Sequence, residues 1–354
     1  MRYLYFTPGP TALYPSVREH IRCAVADDVC SISHRSREFM DISRRTTTAL
    51  RSLLSVPDTH LIFFLGSATE AMERIIGNCV AERSHHFVNG AFSKRFYDMA
   101  VALKKRPVKT EASFGEGFDF RNVGIGDDVE LICITQNETS AGVALRVDDI
   151  LDLTRRYPEA LMAVDIVSSV PYVDLDYSLI DCAFFSVQKG FGLPAGLGVL
   201  IVNEACMAKS EALKSGGVNI GSYHSFPSLS KYAAKHQTPE TPNVLGIYLL
   251  GRVCEDMLET GMDSIRIGMD KKAEMLYSAF ERHPDLKPFV GDSDIRSKTV
   301  IVGENPPLEL MEFLRSKGFI IGSGYGDYRD RHIRIANFPQ HREEDVTRLV
   351  ALLG

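Results

Sequence analysis

The sequence predicts an α/β protein: a mostly parallel central sheet covered on both faces, with a smaller α+β unit at the C-terminal end. Three observations predict it. Short apolar runs recur at Leu61–Leu65, Val129–Thr135, Ala160–Val164, Ala183–Val187 and Val199–Val202, each of a length suited to a buried strand. Helix-period stretches separate them up to about residue 203, the order that builds a parallel sheet with helices on both sides. After a composition break at 214–241, the pattern changes to helix, strand, helix, strand, strand, helix.

Taken in order, residues 1–16 are rich in proline and aromatics (Thr7-Pro-Gly-Pro10, Tyr14-Pro15) and read as an ordered, extended arm. From Glu38, the spacing of Phe39, Ile42, Ala49, Leu50, Leu53 and Leu54 predicts an amphipathic helix ended near Pro57. Strand Leu61–Leu65 runs into the turn Gly66-Ser67-Ala68-Thr69, and a helix follows over Glu70–Val80. Strand, small-residue turn and helix together aim free N–H groups and a helix dipole at an anion. The plainer reading of that turn is an ordinary Ser/Thr cap. Strand Val129–Thr135 leads into a polar loop, Gln136–Gly142, and then a helix over Asp148–Tyr157. Strand Ala160–Val164 ends in Asp165, with Ser168 and Ser169 close behind. A carboxylate there is costly without a cationic partner; it equally suits an Asp capping the next turn.

Strand Ala183–Val187 delivers Gln188 and Lys189 to a turn built from Gly190, Gly192, Pro194, Gly196 and Gly198. A lysine at the end of an interior strand is desolvated, which lowers its pKa and makes it a usable nucleophile. For a lone lysine the plainer reading, one that snorkels to the surface from a loop, is the preferred one. The segment 214–241 shows little periodicity and is long for a loop, which marks a functional or interface element. Thr241-Pro242 then starts a helix over Val244–Glu259. The rest predicts strand Lys298–Val302, helix Pro307–Lys317, strands Phe319–Ile321 and His332–Ala336, and helix Glu343–Leu353. We expect a large domain over 17–254 and a small one made of 1–16 and 255–354.

Composition narrows the function classes. A net charge of −6 with no basic run argues against nucleic acid or an anionic membrane as partner. No apolar stretch is long enough to span a bilayer. The N-terminus shows no signal-peptide pattern. The 7 cysteines are odd in number and scattered, and the 10 histidines form no HExxH, so we expect reduced thiols, a cytoplasmic setting and no metal.

In open α/β sheets ligands collect at the carboxyl ends of the strands. Gly66, Thr139, Asp165 and Lys189 all fall there. Pyridoxal phosphate needs a lysine amine, a carboxylate at its pyridine nitrogen and an anion site for its phosphate. Lys189, Asp165 and the Gly66–Thr69 turn offer one of each.

The chain also resembles the class V aminotransferases, and within them the phosphoserine branch most. The resemblance covers nearly the whole chain. It rests on TPGP at Thr7–Pro10, Ser33-His34-Arg35, the Gly66–Thr69 turn, NGAFSK at Asn89–Lys94, NETSAG at Asn137–Gly142, DIVSS at Asp165–Ser169, SVQKG at Ser186–Gly190, QTPETPN at Gln237–Asn243 and RIANFP at Arg334–Pro339. It implies the type I fold of pyridoxal-phosphate-dependent transferases, amino-acid and keto-acid substrates, and a homodimer with shared sites. Lys189 would bond the cofactor, and Asp165 would pair with the pyridine nitrogen. Ser67, Ala68, Ser168 and Gln188 would hold the cofactor, with Thr139 near the ring oxygen and Phe92 stacked on the ring. Gln237 and Thr238 would reach the neighbouring subunit's cofactor phosphate. Arg334 would clamp the substrate α-carboxylate, and His34 and Arg35 would read the substrate phosphate from the partner subunit.

Two departures from the phosphoserine pattern are visible. No histidine precedes Arg334 at the expected offset in Ser323–Arg329, and the Gly66–Thr69 turn lacks the arginine of some relatives. Arg329 and Arg331 are the nearest candidates for the missing cation. DIVSS and Leu193–Gly198 lean toward the alanine–glyoxylate and serine–pyruvate branch, which is the alternative. A cysteine desulfurase needs a loop thiol in the C-terminal half, but the last cysteine is Cys254. No glycine fingerprint supports a dinucleotide.

Overall fold

Seven strands form the central sheet of the computed structural model, which describes residues 3–354; Met1 and Arg2, the first two residues of the expected arm, lie outside the described residues. The order across the sheet is His60–Leu65, Gly198–Asn203, Cys182–Ser186, Leu161–Asp165, Leu131–Thr135, Ser84–Val88, Val108–Glu111. Gly198–Asn203 runs antiparallel to both its neighbours. The remaining pairs are parallel.

Side-chain alternation explains why these strands read as unbroken apolar runs. Ile132, Ile134, Met162, Val164, Ala183 and Phe185 pack into a core on one face. Leu131, Cys133, Ala163, Cys182 and Phe184 pack into a second core on the other. Both faces are covered, so no position can be polar without a partner.

Two of the seven strands were not predicted. Ser84–Val88 contains His85 and His86, which break the apolar signal; both imidazoles are nevertheless buried. Each has a hydroxyl partner, Thr110 Oγ1 at 2.9 Å for His85 and Ser84 Oγ at 2.9 Å for His86. Burial lowers both pKa values, that of His86 to about 3, so both rings stay neutral. Val108–Glu111 is a largely exposed, charged edge strand and carries no apolar run.

The segment 214–241 also departs from expectation, because it holds a helix, Phe226–Ala233. Pro227 sits in its first turn, and Phe226 and Leu229, three apart, are buried together. Among the described residues, no helix is long and apolar enough to cross a membrane.

The second sheet has the order Leu4–Phe6, Phe319–Ser323, His332–Ala336, Val300–Glu304, Lys287–Pro288. The N-terminal arm supplies its first strand, parallel to Phe319–Ile321. Helices Met262–Arg282 and Glu343–Leu353 cover it through Phe280, Leu276, Val346 and Leu349. The arm then passes over the central sheet: Tyr14 N–H donates to Gly192 O at 2.9 Å. Gly9 has φ +151, and a Cβ there would sit 3.0 Å from Lys189 Cε, so glycine lets the arm lie directly on that side chain.

Candidate active site

The carboxyl ends of the central strands, the arm and the second sheet enclose a cavity of about 220 Å³. Lys189 enters it from the turn after Cys182–Ser186. That turn closes only because residue 190 is glycine: a Cβ there would meet Val170 O at 1.8 Å. Lys189 is 7% exposed. Its Nζ donates to Thr139 Oγ1 at 3.0 Å. Thr139 Oγ1 in turn donates to Ser168 Oγ at 2.7 Å, and Asn137 Nδ2 donates to the same oxygen at 2.7 Å. The polar loop after Leu131–Thr135 therefore fixes where the amine points.

Asp165 ends the neighbouring strand, paired with Thr135 and Phe184. Its Oδ1 accepts from Val167 N–H at 2.8 Å. Burial pushes its carboxyl up to about 7, against the Val167 hydrogen bond and the charge of Lys189. Burial likewise pushes Lys189 down to about 8, against the charge of Asp165 and helped by Arg334 and Arg95. Both shifts share one origin, the loss of water around a charge.

Phe92 begins helix Ala91–Ala102, and its ring centroid lies 5.0 Å from Lys189 Nζ. Glu138 holds that helix start. The Phe92 and Ser93 N–H groups donate to Glu138 Oε2 at 3.1 and 2.9 Å, while the Ser140 hydroxyl donates to Oε1 at 2.6 Å. This buried carboxylate is a charged N-cap delivered from another segment.

On the opposite wall, Ala68 and Thr69 begin helix Ala68–Cys79 and line the cavity. Ser67 Oγ accepts from Glu70 N–H at 3.0 Å, and Ala68 N–H donates to Ser186 Oγ at 2.8 Å. The Thr69 N–H lies in the first turn, where no helical carbonyl can accept it. Arg334 reaches in from the second sheet, where Ser323 O accepts from its Nε at 2.8 Å.

The structure thus brings Lys189, Asp165, Ala68, Phe92, Thr139, Gln188 and Arg334 to one cavity, with Ser67 and Ser168 directly behind. His34, Arg35, Gln237 and Thr238 do not line it. They sit together elsewhere: Arg35 donates to Gln237 Oε1 at 3.1 Å, Thr238 O at 2.7 Å and Pro239 O at 3.0 Å, and stacks on Tyr232. His34 Nδ1 lies 3.3 Å from Thr241 Oγ1. Arg329 and Arg331 are exposed and do not line the cavity. Sequence reasoning missed Arg95, Tyr325, Glu138 and Ser186. Arg95 lies three residues after Phe92 and so on the same helix face, but that spacing alone does not separate it from surface charge.

A family model described as "Aminotransferase class-V" matches residues 100–326. The chain belongs to the class V aminotransferases. A solved phosphoserine aminotransferase from Cytophaga hutchinsonii is 45% identical, with 99% of this chain and 98% of that one covered and a TM-score of 0.98. An alanine–glyoxylate aminotransferase from Nostoc sp. is 21% identical, with coverage of 100% and 94% and a TM-score of 0.86. A phosphoserine aminotransferase from Bacillus circulans subsp. alkalophilus is also 21% identical, with coverage of 99% and 97% and a TM-score of 0.83. The last two are likenesses of fold.

The cofactor of this class V aminotransferase is pyridoxal phosphate, and the cavity fits it. A buried carboxylate and a buried amine face one space beside an aromatic ring. A helix N-terminus opens on the same space, and Gln188 Oε1 is buried there without a partner. These are the groups a flat, cationic ring with an anionic tail requires.

Proposed function

We propose that this transaminase is a phosphoserine aminotransferase of serine biosynthesis, interconverting 3-phosphohydroxypyruvate and glutamate with phosphoserine and 2-oxoglutarate. The observation that carries this reading is the 45% identity, along essentially the whole chain, to the Cytophaga protein of that name.

The side chains have the following roles in it. Bound pyridoxal phosphate supplies a carbonyl for the substrate amine and a ring that accepts the electron pair left behind when the Cα proton departs. Ala68, Thr69, Ser67 and Gln188 would hold its phosphate, and Phe92 and Ser168 would hold its ring in place. Asp165 would keep a proton on the ring nitrogen, because a cation beside it would favour the ionised carboxylate that burial otherwise opposes. Lys189 Nζ, whose pKa burial brings down to about 8, would be the group that moves the Cα proton. Arg334 binds the α-carboxylate through its planar fork.

The reading includes a two-domain chain, 17–254 and 1–16 with 255–354, and a homodimer. In the dimer, His34, Arg35, Gln237 and Thr238 act on the partner's site. Seven free cysteines suit a cytoplasmic setting. A second reading, an alanine–glyoxylate or serine–pyruvate enzyme, is favoured by DIVSS and by the distance of Arg329 and Arg331 from the cavity lining.

Mixing the holoenzyme with single amino acids and following the spectrum of the bound cofactor tests the choice. Phosphoserine and glutamate should convert it to its amine form. Conversion by alanine or serine but not by phosphoserine selects the second reading.

A further inference from the structure

We infer that Arg95 reads the second anionic group of a dianionic amino-acid substrate from within the same chain, alongside the His34 and Arg35 that the reading above brings from the partner subunit; this rests on that transaminase reading. The charges lining the cavity are unbalanced. Lys189, Arg95 and Arg334 face a single acid, Asp165. Among the described residues, no carboxylate pairs with either guanidinium. Arg334 Nε is held by a carbonyl, Ser323 O, and Arg95 Nη2 by the neutral hydroxyl of Tyr325 at 3.1 Å. Two half-buried, unpaired guanidiniums call for two anions in the ligand.

The cofactor phosphate is answered by the helix N-terminus at Ala68 and Thr69, and one guanidinium by the substrate α-carboxylate. The other is left over. Tyr325 separates them: Arg95 bonds its hydroxyl, while the Arg334 guanidinium lies 5.4 Å from its ring centroid. Arg95 also lies over Phe92, 5.2 Å from the ring centroid, so it borders the ring site. A guanidinium has five N–H donors in a fixed fork, and one hydrogen bond to tyrosine leaves most of them free. Phosphoserine and glutamate each carry a second anion; alanine does not. Arg95 therefore selects for the dianionic class. The same positive charge could instead serve the cofactor phosphate, and the test separates these two sources of anion.

The experiment uses Arg95→Gln and Arg95→Lys holoenzymes, single half-reactions with phosphoserine, glutamate and alanine, and the dissociation constant for pyridoxal phosphate. In Arg95→Gln, kcat/KM should fall about 10- to 100-fold for the two dianionic donors, the range for a lost charge-assisted hydrogen bond. Alanine should change by less than about threefold, and cofactor affinity should hold. Arg95→Lys should recover part of the loss, which shows that the fold is intact. An equal fall for all three donors, no fall at all, or a fall tracking weaker cofactor binding overturns the assignment. Failure of the phosphoserine reading looks different: the parent enzyme then ignores phosphoserine, while glutamate against alanine still tests Arg95.

Discussion

His224 should act as a charged staple on the phosphate-side turn, with a measurable pH signature. Its Nδ1 meets Glu70 Oε1, and its Nε2 lies 2.8 Å from Glu240 Oε2. Glu70 Oε2 in turn accepts from Gly66 N–H at 2.8 Å, which ties the staple to the Gly66–Thr69 turn. Burial alone pushes this imidazole down; hydrogen bonds to Glu240 and Glu70 and their charges reverse that and raise it from 6.5 to about 9. A raised histidine contributes stability fully below its unfolded pKa and loses it as pH climbs through the folded one. The window is therefore roughly pH 6.5 to 9. The full shift corresponds to ~3 kcal/mol. Glu70 and Glu240 are 25% and 33% exposed, so screening reduces this to about 2 kcal/mol. In a chain of 354 residues that is roughly 2–3 °C in melting temperature. The assay is thermal unfolding of parent and His224→Gln, with excess cofactor, from pH 6 to 9.5. The parent should lose stability across that window, and the variant should start lower and lose about 2 kcal/mol less. Parallel pH profiles for the two proteins would refute the staple.

Other perturbations follow from the same geometry. In the proposed roles Asp165→Asn removes the charge that would hold the ring-nitrogen proton, so kcat should drop by about a thousandfold while the fold melts normally in calorimetry. Arg334→Ala should lower kcat/KM for every amino donor by about 100-fold, mainly through KM in steady-state assays. Glu138→Gln leaves the N–H groups of Phe92 and Ser93 facing a neutral amide; we expect a loss of roughly 2–4 kcal/mol in denaturant unfolding and a loosened Phe92. In cofactor-free protein, Lys189 is neutral above about pH 8, so the rate of cofactor capture, followed by absorbance, should rise with pH and level off there, where an ordinary lysine would keep climbing.

The parallel strands were legible because a sheet covered on both sides leaves only apolar runs between turns. Strand Ser84–Val88 was not, because hydrogen bonds to Ser84 and Thr110 let two imidazoles occupy apolar positions. Helix Phe226–Ala233 escaped for a related reason, since its buried face reduces to Phe226 and Leu229 in a stretch otherwise mixed in polar and small residues. Within the site, Lys189, Asp165 and the Gly66–Thr69 turn could be read from their position at strand ends. Arg95 could not be separated from surface charge, since Lys94 beside it is exposed and pairs with Asp98. Only the approach of Tyr325, 230 residues away in sequence, turns Arg95 into part of the cavity. Glu138 was visible as part of a loop motif, but its role as a cap depends on a helix start 45 residues earlier.

Lys272 offers the sharpest internal control. It is as buried as Lys189, and burial lowers it also to about 8, yet its amine donates to the carbonyls of Phe338 and His341 and does not line the cavity that holds Asp165. Burial alone therefore does not select the functional amine. Reducing the holoenzyme with borohydride and mapping the cofactor-bearing peptide by mass spectrometry decides between them. A single label on Lys189 is the predicted result; a label on Lys272 or on any other lysine contradicts it.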